Sequence, residues 1–149
     1  METGAAYPSF QTAAELEAIR IEQQRANQAP GYYGPWAKDR DLSVDEIQRL
    51  LDQGRPFVIR VRAPYPSQGT IRVQDAIRGL LEMPENEKDY VLLKSDGLPT
   101  YHLAHAVDDT LMRVTLALRA DEWLSTLPLH VQLFGALDQP LPTYAHICL

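Results

Sequence analysis

Hydrophobic residues recur at helical spacing in two segments of the first third of the chain. In each segment a Ser or Thr precedes the apolar residues and a Glu stands three positions later, which is the pattern of a capping box at a helix N-terminus. The two pairs are Thr12 with Glu15 and Ser43 with Glu46. We therefore expect helices over about residues 13–26 and 43–54, separated by the Pro- and Gly-rich loop at residues 27–36.

Beyond Pro56 the hydrophobic period changes from that of a helix to that of a strand. The segment FVIRVR, residues 57–62, alternates along its length, as does TIRVQD at residues 70–75. A third short strand is expected at residues 77–82. The first two strands are expected to pair as an antiparallel hairpin with a long loop.

From residue 90 onward the apolar residues run continuously. YVLLK at residues 90–94 and VTLAL at residues 114–118 are typical of strands covered on both faces. Helices are expected at residues 100–112 and 122–136, where Pro128 marks a break or a new first turn. The alternation of strand and helix from residue 90 onward predicts a parallel α/β unit, which follows an α+β segment in the first part of the chain. The chain as a whole is therefore expected to be α/β.

The composition is that of a globular protein the size of one ordinary domain. The 149 residues are 45% hydrophobic and include a single cysteine, Cys148, so no intrachain disulfide can form. No apolar run approaches the roughly 20 residues of a membrane-spanning helix. The chain start lacks the pattern of a signal peptide, and a reducing, cytoplasmic location is the natural expectation.

Positive charge is concentrated in one stretch of an otherwise acidic chain. The net charge is −6, but residues 55–78 carry five arginines against Asp75 alone. Such a stretch can contact a phosphate backbone, and it can equally be a solvated strand face.

The stretch TYHLAHAVDD, residues 100–109, carries the most distinctive chemical pattern. On a helix, His102, His105 and Asp109 lie within reach of one another and can in principle hold a metal ion. The common helical zinc motif has histidines four apart beside a glutamate, which is absent here. The alternatives are ordinary hydrogen-bonding side chains, or an anion site at the first turn of the helix, where Tyr101 lies.

An anion site has a second residue in its favour. Arg119 follows the next predicted strand, and the carboxyl ends of strands in a parallel α/β sheet open onto a shared crevice. Arginine suits bidentate capture of a carboxylate. A small anionic ligand bound by Tyr101, His105 and Arg119 is therefore a reasonable physical hypothesis.

Residues 92–130, LLKSDGLPTYHLAHAVDDTLMRVTLALRADEWLSTLPLH, closely resemble a segment of the glutamyl-tRNA synthetase family of class I aminoacyl-tRNA synthetases. In that family a KSDG-PTYHLA-VVDD segment leads through a short strand to an R-EEW-STP-H turn. Less specific similarity extends upstream, through YPSFQTAAELEAIR and RPFVIRVRAP. The resemblance implies a glutamate–tRNA ligase, which activates glutamate with ATP and transfers it to tRNA(Glu) in protein synthesis.

The resemblance also implies a fold, a class I Rossmann-fold catalytic domain split by a connective insertion. Residues 1–89 match the insertion that binds the tRNA acceptor end, and residues 90–149 match the start of the second Rossmann half. The two ATP-phosphate motifs of the family, of HIGH and KMSKS type, are absent from these residues. We therefore expect an internal fragment that holds no cofactor and does not activate glutamate alone, with ATP and Mg²⁺ required by the full-length enzyme.

Roles for particular residues follow from the resemblance, none of them as a catalytic side chain. The implied glutamate-binding residues are Tyr101, His105 and Arg119, although His105 replaces the usual asparagine of the family. The positions beside the adenylate are matched by Glu122 and Trp123, next to Asp121, which replaces a glutamate. The tRNA acceptor end is expected to meet Arg78 and Lys94, which match basic family positions, together with Arg60 and Arg62 of the arginine-rich stretch.

The resemblance bears on metal and leaves other functions open. Some family members bind zinc through cysteines near the entry to the insertion, where this chain has Ser9 and Gln11, which excludes a site of that type.

One alternative to the conventional ligase is a relative of glutamyl-queuosine tRNA(Asp) synthetase. Another is a free-standing tRNA-acceptor binding module without chemistry. The intact KSDG and DEW segments favour the conventional ligase.

Overall fold

A computed structural model describes residues 4–148 of the chain as a mixture of strands and helices. The strands are β1 (Ala6–Ser9), β2 (Val58–Val61), β3 (Thr70–Asp75), β4 (Gly79–Pro84), β5 (Val91–Leu93), β6 (Leu116–Ala120) and β7 (Thr143–Ile147). The α-helices are α1 (Ala13–Arg25), α2 (Val44–Asp52), α3 (Tyr101–Leu111) and α4 (Leu127–Ala136). Short 3₁₀ helices occupy Gly34–Trp36 and Asp121–Thr126.

Both predicted capping boxes are confirmed, and each begins a helix. The Thr12 hydroxyl accepts the Glu15 N–H at 3.3 Å, and the Glu15 carboxylate accepts the Thr12 N–H at 2.7 Å. Ser43 and Glu46 repeat the arrangement at the start of α2. Because these bonds satisfy N–H groups that have no partner inside the helix, local sequence is enough to position both helix starts.

The chain divides into two compact units. The first contains the described residues up to Tyr65 together with Glu87–Thr100, and the second contains Pro66–Asn86 and the residues from Tyr101 onward. In the first unit, β1 and β5 flank β2 in an antiparallel three-stranded sheet. Its hydrophobic core is formed by Tyr7, Ile19, Tyr32 and Ala37, with Leu16 and Trp36 packed against them.

The second unit is built on a mixed four-stranded sheet in the order β4-β3-β7-β6. β3 and β4 form an antiparallel hairpin closed at Gly79, whose φ of 79° suits glycine. β6 and β7 run parallel, and α4 lies in the connection between them. Val73, Leu127 and Tyr144 form the buried apolar core of this unit. The mixed α/β character predicted from the sequence is thus confirmed.

Two of the predicted strand pairings are wrong. The strands at residues 57–62 and 70–75 do not pair with each other, because β2 pairs with β1 and β5 whereas β3 pairs with β4 and β7. The run at residues 90–94 does not begin a parallel unit, because β5 lies antiparallel to β2. The parallel partner of β6 is β7, a strand that was not predicted. Alternation identifies a strand but not its partner, since pairing depends on packing between distant segments.

The division at residue 89 into an insertion and a catalytic part is a functional assignment and stays a prediction. The compact units divide the chain differently, because β3 pairs with β7 and so draws the β3–β4 hairpin into the second unit.

Within residues 4–148, no helix has the length and apolar content needed to cross a lipid bilayer.

Candidate anion-binding site

A polar cluster lies inside the second unit where β6 and β7 run side by side. Arg119 of β6 is directly opposite His146 of β7 in the parallel register. α4 contributes His130, and α3 contributes His102 and His105. Arg119 is only 9% exposed, and His130 and His146 are fully buried. The fold therefore places imidazole rings from three other elements near one buried cation.

Arg119 donates two hydrogen bonds to imidazole nitrogens. Its Nε donates to Nε2 of His146 at 2.9 Å, and its Nη1 donates to Nδ1 of His130 at 2.8 Å. The guanidinium carbon lies 4.4 Å from the ring centroid of Tyr144, a cation–π contact. The third nitrogen, Nη2, is buried without a hydrogen-bond partner among the described residues. An unpaired buried donor is costly, and Nη2 could take a ligand as its partner only if a ligand in the neighbouring cleft displaces the groups that cover it.

The donors and acceptors of this network determine where each histidine carries its proton. Since a guanidinium can only donate, the nitrogens facing Arg119 must hold lone pairs. The other nitrogens then carry the protons, which His146 donates to Asp75 at 2.6 Å and His130 donates to His102 at 2.9 Å. Burial, and then the nearby charge of Arg119, lowers the pKa of His130 to about 2, so its ring is neutral at physiological pH.

Asp75, the last residue of β3, extends the hydrogen-bond network beyond His146. Its Oδ1 accepts the backbone N–H groups of Ile77 and Arg78 at 2.9 Å each, and its Oδ2 accepts the ring proton of His146. Burial acts to raise the pKa of Asp75, but the hydrogen bonds from Arg78, His146 and Ile77 outweigh that effect and lower it to about 2. Asp75 is therefore ionised, and the ring of His146 stands between it and Arg119.

A cleft of about 410 Å³ opens beside the network. Its charged and polar lining residues are Tyr101, His105, Asp108, Asp109 and Arg119. The ring of Tyr101 lies 4.4 Å from that of Trp123 and stacks on His105 at 5.7 Å, measured between centroids. Arg119 is the one cation among the lining residues, and two carboxylates share the cleft with it. The cleft can therefore offer both a cation and carboxylates to a small charged ligand.

Both ring nitrogens of His105 are engaged within the protein. Nδ1 bonds the carboxylate of Asp109 at 2.9 Å, and Nε2 bonds the hydroxyl of Tyr144 at 2.8 Å. Burial lowers the pKa of His105 against the opposing influence of Asp109, so the neutral ring donates from Nδ1 and accepts at Nε2. A direct bond from His105 to glutamate would break one of these contacts and stays a prediction. The His105 ring instead stacks against the ring of Tyr101.

The two histidines of TYHLAHAVDD have different hydrogen-bond partners. His102 bonds His130, whereas His105 bonds Asp109 and Tyr144. Across residues 4–148, no group of three His, Cys, Asp or Glu side chains is arranged to hold a metal ion. The metal interpretation of this stretch has no support in the part of the chain that the structure describes.

The two residues predicted to lie beside the adenylate belong to the 3₁₀ helix that follows β6. Trp123 is partly buried and packs against Tyr101. Glu122 is exposed. Trp123 is thus close to the cleft, and the adenylate role of both residues stays a prediction.

In the first unit, Arg60 and Arg62 are already committed to contacts within the protein. Arg60 is 7% exposed, donates to the Asp89 carbonyl at 2.9 Å and lies 4.2 Å over the ring of Tyr32. Arg62 pairs with Asp41 at 2.9 Å. Arg60 is too buried to meet a phosphate as it stands, whereas Arg62 is partly exposed in a surface ion pair. Their role in tRNA binding stays a prediction.

The other two residues predicted to contact tRNA belong to different units. Arg78, in the second unit, pairs with Asp121 and donates to the His146 carbonyl at 3.3 Å. Lys94, in the first unit, is exposed, with Asp96 at 3.4 Å. Both roles stay predictions. Acidic side chains from outside the arginine-rich stretch offset much of its local positive charge.

Sequence reasoning missed most of the polar network. The missed residues are Asp75, His130, Tyr144 and His146. Two of them lie on β7, and the available signal was the short segment TYAHI that follows the Pro-rich turn DQPLP. Five residues are too few for alternation to stand out, which is why the strand and its histidine were not predicted.

Comparison with known proteins identifies the family. The model for tRNA synthetases class I (E and Q), catalytic domain, matches residues 1–149. The glutamate–tRNA ligase of Acetivibrio thermocellus is 50% identical over 146 residues, which cover 98% of this chain and 27% of that protein. The glutamate–tRNA ligase of Sorangium cellulosum is 49% identical over 144 residues, which cover 97% of this chain and 25% of that protein.

Solved structures agree with these relatives. A crystal structure of a glutamate tRNA ligase from Elizabethkingia meningosepticum, in complex with its amino acid, matches with a TM-score of 0.89 and 36% identity. The match covers 99% of this chain and 30% of that one. The chain thus spans about a quarter of the length of the curated relatives named above. With a family model matching it from end to end, this chain belongs to the catalytic-domain family of the class I tRNA synthetases (E and Q).

Proposed function

We propose that this chain is the part of a glutamate–tRNA ligase that binds the glutamate substrate, in an enzyme that activates glutamate with ATP and transfers it to tRNA. The observation that carries the proposal is Arg119, a buried cation in the lining of the cleft whose Nη2 has no partner among the described residues. Family membership and the relative crystallised with its amino acid support the same ligand.

The side-chain carboxylate of glutamate would supply the acceptor that Nη2 lacks. A charge-assisted hydrogen bond of this kind is stronger than a neutral one, and more so away from water. Glutamine offers a neutral amide whose NH₂ group can only donate, so it would leave the buried charge less well compensated. Arg119 would therefore contribute to the preference for glutamate over glutamine.

Other residues of the cleft complete the proposed binding mode. The carboxylates of Asp108 and Asp109 line the same cleft and can accept the ammonium group of the ligand. Tyr101 contributes an aromatic ring that packs against the rings of His105 and Trp123. Glutamate binding would thus combine one buried cation, a carboxylate pair and a rigid aromatic surface.

The chemistry is proposed for a longer ligase that contains this segment. The α-carboxylate of glutamate would attack the α-phosphorus of ATP and release pyrophosphate. The ribose hydroxyl of tRNA would then take the glutamyl group and release AMP. Both steps depend mainly on positioning and on stabilising phosphate charge. Arg78 and Lys94 stay the proposed contacts to the tRNA acceptor end.

A chimeric enzyme tests the proposal. In the Acetivibrio thermocellus ligase, the segment matched by this chain is replaced by its 149 residues, and the charging of tRNA with radiolabelled glutamate is measured. We expect charging by the chimera. Arg119→Leu is expected to abolish it or raise the KM for glutamate at least about a hundredfold, since a buried charge pair is lost. Undiminished charging by Arg119→Leu would refute the role of Arg119.

A further inference from the structure

We infer that Asp75 and His146 are positioning residues for Arg119, an inference that rests on the proposed function. His146 holds Nε of Arg119, and Asp75 holds His146 in the tautomer that makes this bond possible. Neither residue has to touch the ligand. Together they hold the guanidinium of Arg119, a residue that lines the cleft, in one orientation.

The guanidinium of Arg119 is held at two of its three nitrogens and on one face. His146 accepts from Nε at 2.9 Å and His130 accepts from Nη1 at 2.8 Å. The ring of Tyr144 lies against the guanidinium at 4.4 Å. Because the guanidinium is a rigid plane, holding two nitrogens determines where the N–H groups of the third one point. The unpaired Nη2 is thus oriented before any ligand arrives, which lowers the entropy cost of binding.

Asp75 decides which nitrogen of His146 carries the proton. Its Oδ2 accepts the Nδ1 proton of His146 at 2.6 Å and the backbone N–H of the same residue at 3.2 Å. In the other tautomer, a proton on Nε2 of His146 would face the Nε–H of Arg119, leaving two donors 2.9 Å apart. The carboxylate therefore makes Nε2 an acceptor, by the general rule that the partner of one imidazole nitrogen sets the state of the other.

The arrangement also keeps the charge of Arg119 available. Asp75 stands one imidazole away from the guanidinium, and the hydrogen bonds of Arg119 go to the neutral rings of His130 and His146. A carboxylate placed directly against Arg119 would satisfy the cation, and a ligand would then have to displace it. Anchoring through a neutral imidazole orients the guanidinium without neutralising it.

The tautomer can be measured on the 149-residue chain itself. Long-range ¹H–¹⁵N correlations report which nitrogen of each histidine carries the proton, and we expect Nδ1 for His146. Asp75→Asn keeps the oxygen that accepts from Ile77 and Arg78 but replaces the other oxygen with an NH₂ donor. We therefore expect Asp75→Asn to move the His146 proton to Nε2. An unchanged His146 tautomer in this variant would overturn the role of Asp75.

The consequence for binding is measured in the chimeric ligase. Asp75→Asn and His146→Leu are each expected to raise the KM for glutamate about tenfold or more, as when a hydrogen bond to a charged group is lost, with a smaller change in kcat. His146→Gln offers an amide oxygen to Arg119 and is expected to retain most of the wild-type affinity. Rescue by glutamine but not by leucine distinguishes an acceptor for Arg119 from a ring that only fills space.

Val73→Ala is the matched structural control. Val73 lies on the same strand as Asp75 and belongs to the apolar core of the second unit. Its truncation lowers stability without removing a polar partner, so the KM for glutamate should stay near the wild-type value. A rise in KM as large as that of Asp75→Asn would show that general destabilisation is responsible and would overturn the inference.

The two proposals fail in distinguishable ways. A chimera with no substitutions that does not charge tRNA with glutamate counts against the proposed function. A chimera that charges normally, with an unchanged KM for glutamate in both Asp75→Asn and His146→Leu, overturns the positioning inference alone.

Discussion

Tyr144→Phe is expected to lower the free energy of unfolding of the second unit by about 1–3 kcal/mol, the usual cost of leaving a buried polar atom without its partner. The Tyr144 hydroxyl bonds Nε2 of His105 at 2.8 Å, and the two residues are 0% and 7% exposed. Phenylalanine keeps the ring that packs against Arg119. The loss is therefore assigned to the hydrogen bond and to the Nε2 atom left unpaired.

The measurement is urea unfolding of the 149-residue chain, followed by fluorescence. The chain has two tryptophans, Trp36 in the first unit and Trp123 in the second, so a Trp36→Phe background leaves Trp123 to report on the second unit. Tyr101→Phe serves as the control, because Tyr101 is 46% exposed. Removal of its hydroxyl should lower the free energy of unfolding by less than about 0.5 kcal/mol. A loss for Tyr144→Phe no larger than that of Tyr101→Phe would refute the reasoning.

Three further predictions concern acid stability, a turn and the isolated chain. The pKa of Asp75 is about 2 in the folded protein against an ordinary 3.8, so its ionisation stabilises the fold above the ordinary pKa and that stabilisation disappears as the pH falls toward 2. At about 1.4 kcal/mol per pKa unit, the fold should lose roughly 2 kcal/mol of stability over this pH range. Asp75→Asn lacks the ionisable group, so its acid titration, followed by circular dichroism, should not show this loss. Gly34→Ala should lower the melting temperature more than Gly54→Ala. Both glycines have positive φ, so both substitutions strain the backbone. Only at Gly34 would the added Cβ also collide with a side chain, the ring of Tyr65. Equal losses would contradict the steric argument. The isolated chain should release no pyrophosphate from ATP in the presence of glutamate, because neither phosphate motif of the family occurs in it, and measurable release would show that the chain activates glutamate alone.

The arginine-rich stretch illustrates how local charge differs from an electrostatic surface. Residues 55–78 carry a strong positive excess in sequence. In the folded chain Arg62 pairs with Asp41, Arg72 with Glu82, and Arg78 with Asp121. These acidic partners lie outside the stretch, so no count over a sequence window includes them. Acidic side chains from other segments lower the local positive charge, so charge clustering along a chain overstates the positive charge of the folded surface.

The cleft was predicted better than the network that supports it. Tyr101 and Arg119 were expected to open onto one crevice, and both line the same cleft. The reason for that expectation was wrong, because β5 is not the parallel neighbour of β6. Arg119 instead reaches the cleft from β6, next to β7 and opposite His146. The two residues therefore share a cleft even though the strand pairing inferred from periodicity is mistaken, and their part in ligand binding stays a proposal.

The sequence by itself determined the features that depend on near neighbours. The capping boxes at Thr12 and Ser43 and the extents of α1 and α2 follow from contacts over three or four residues. Only the tertiary structure decided the strand partners and the network of Asp75, His146 and Arg119, in which one bond joins residues 71 positions apart. Whether a buried charge finds an acceptor depends on which distant segments pack together, and hydrophobic periodicity carries no information about that choice.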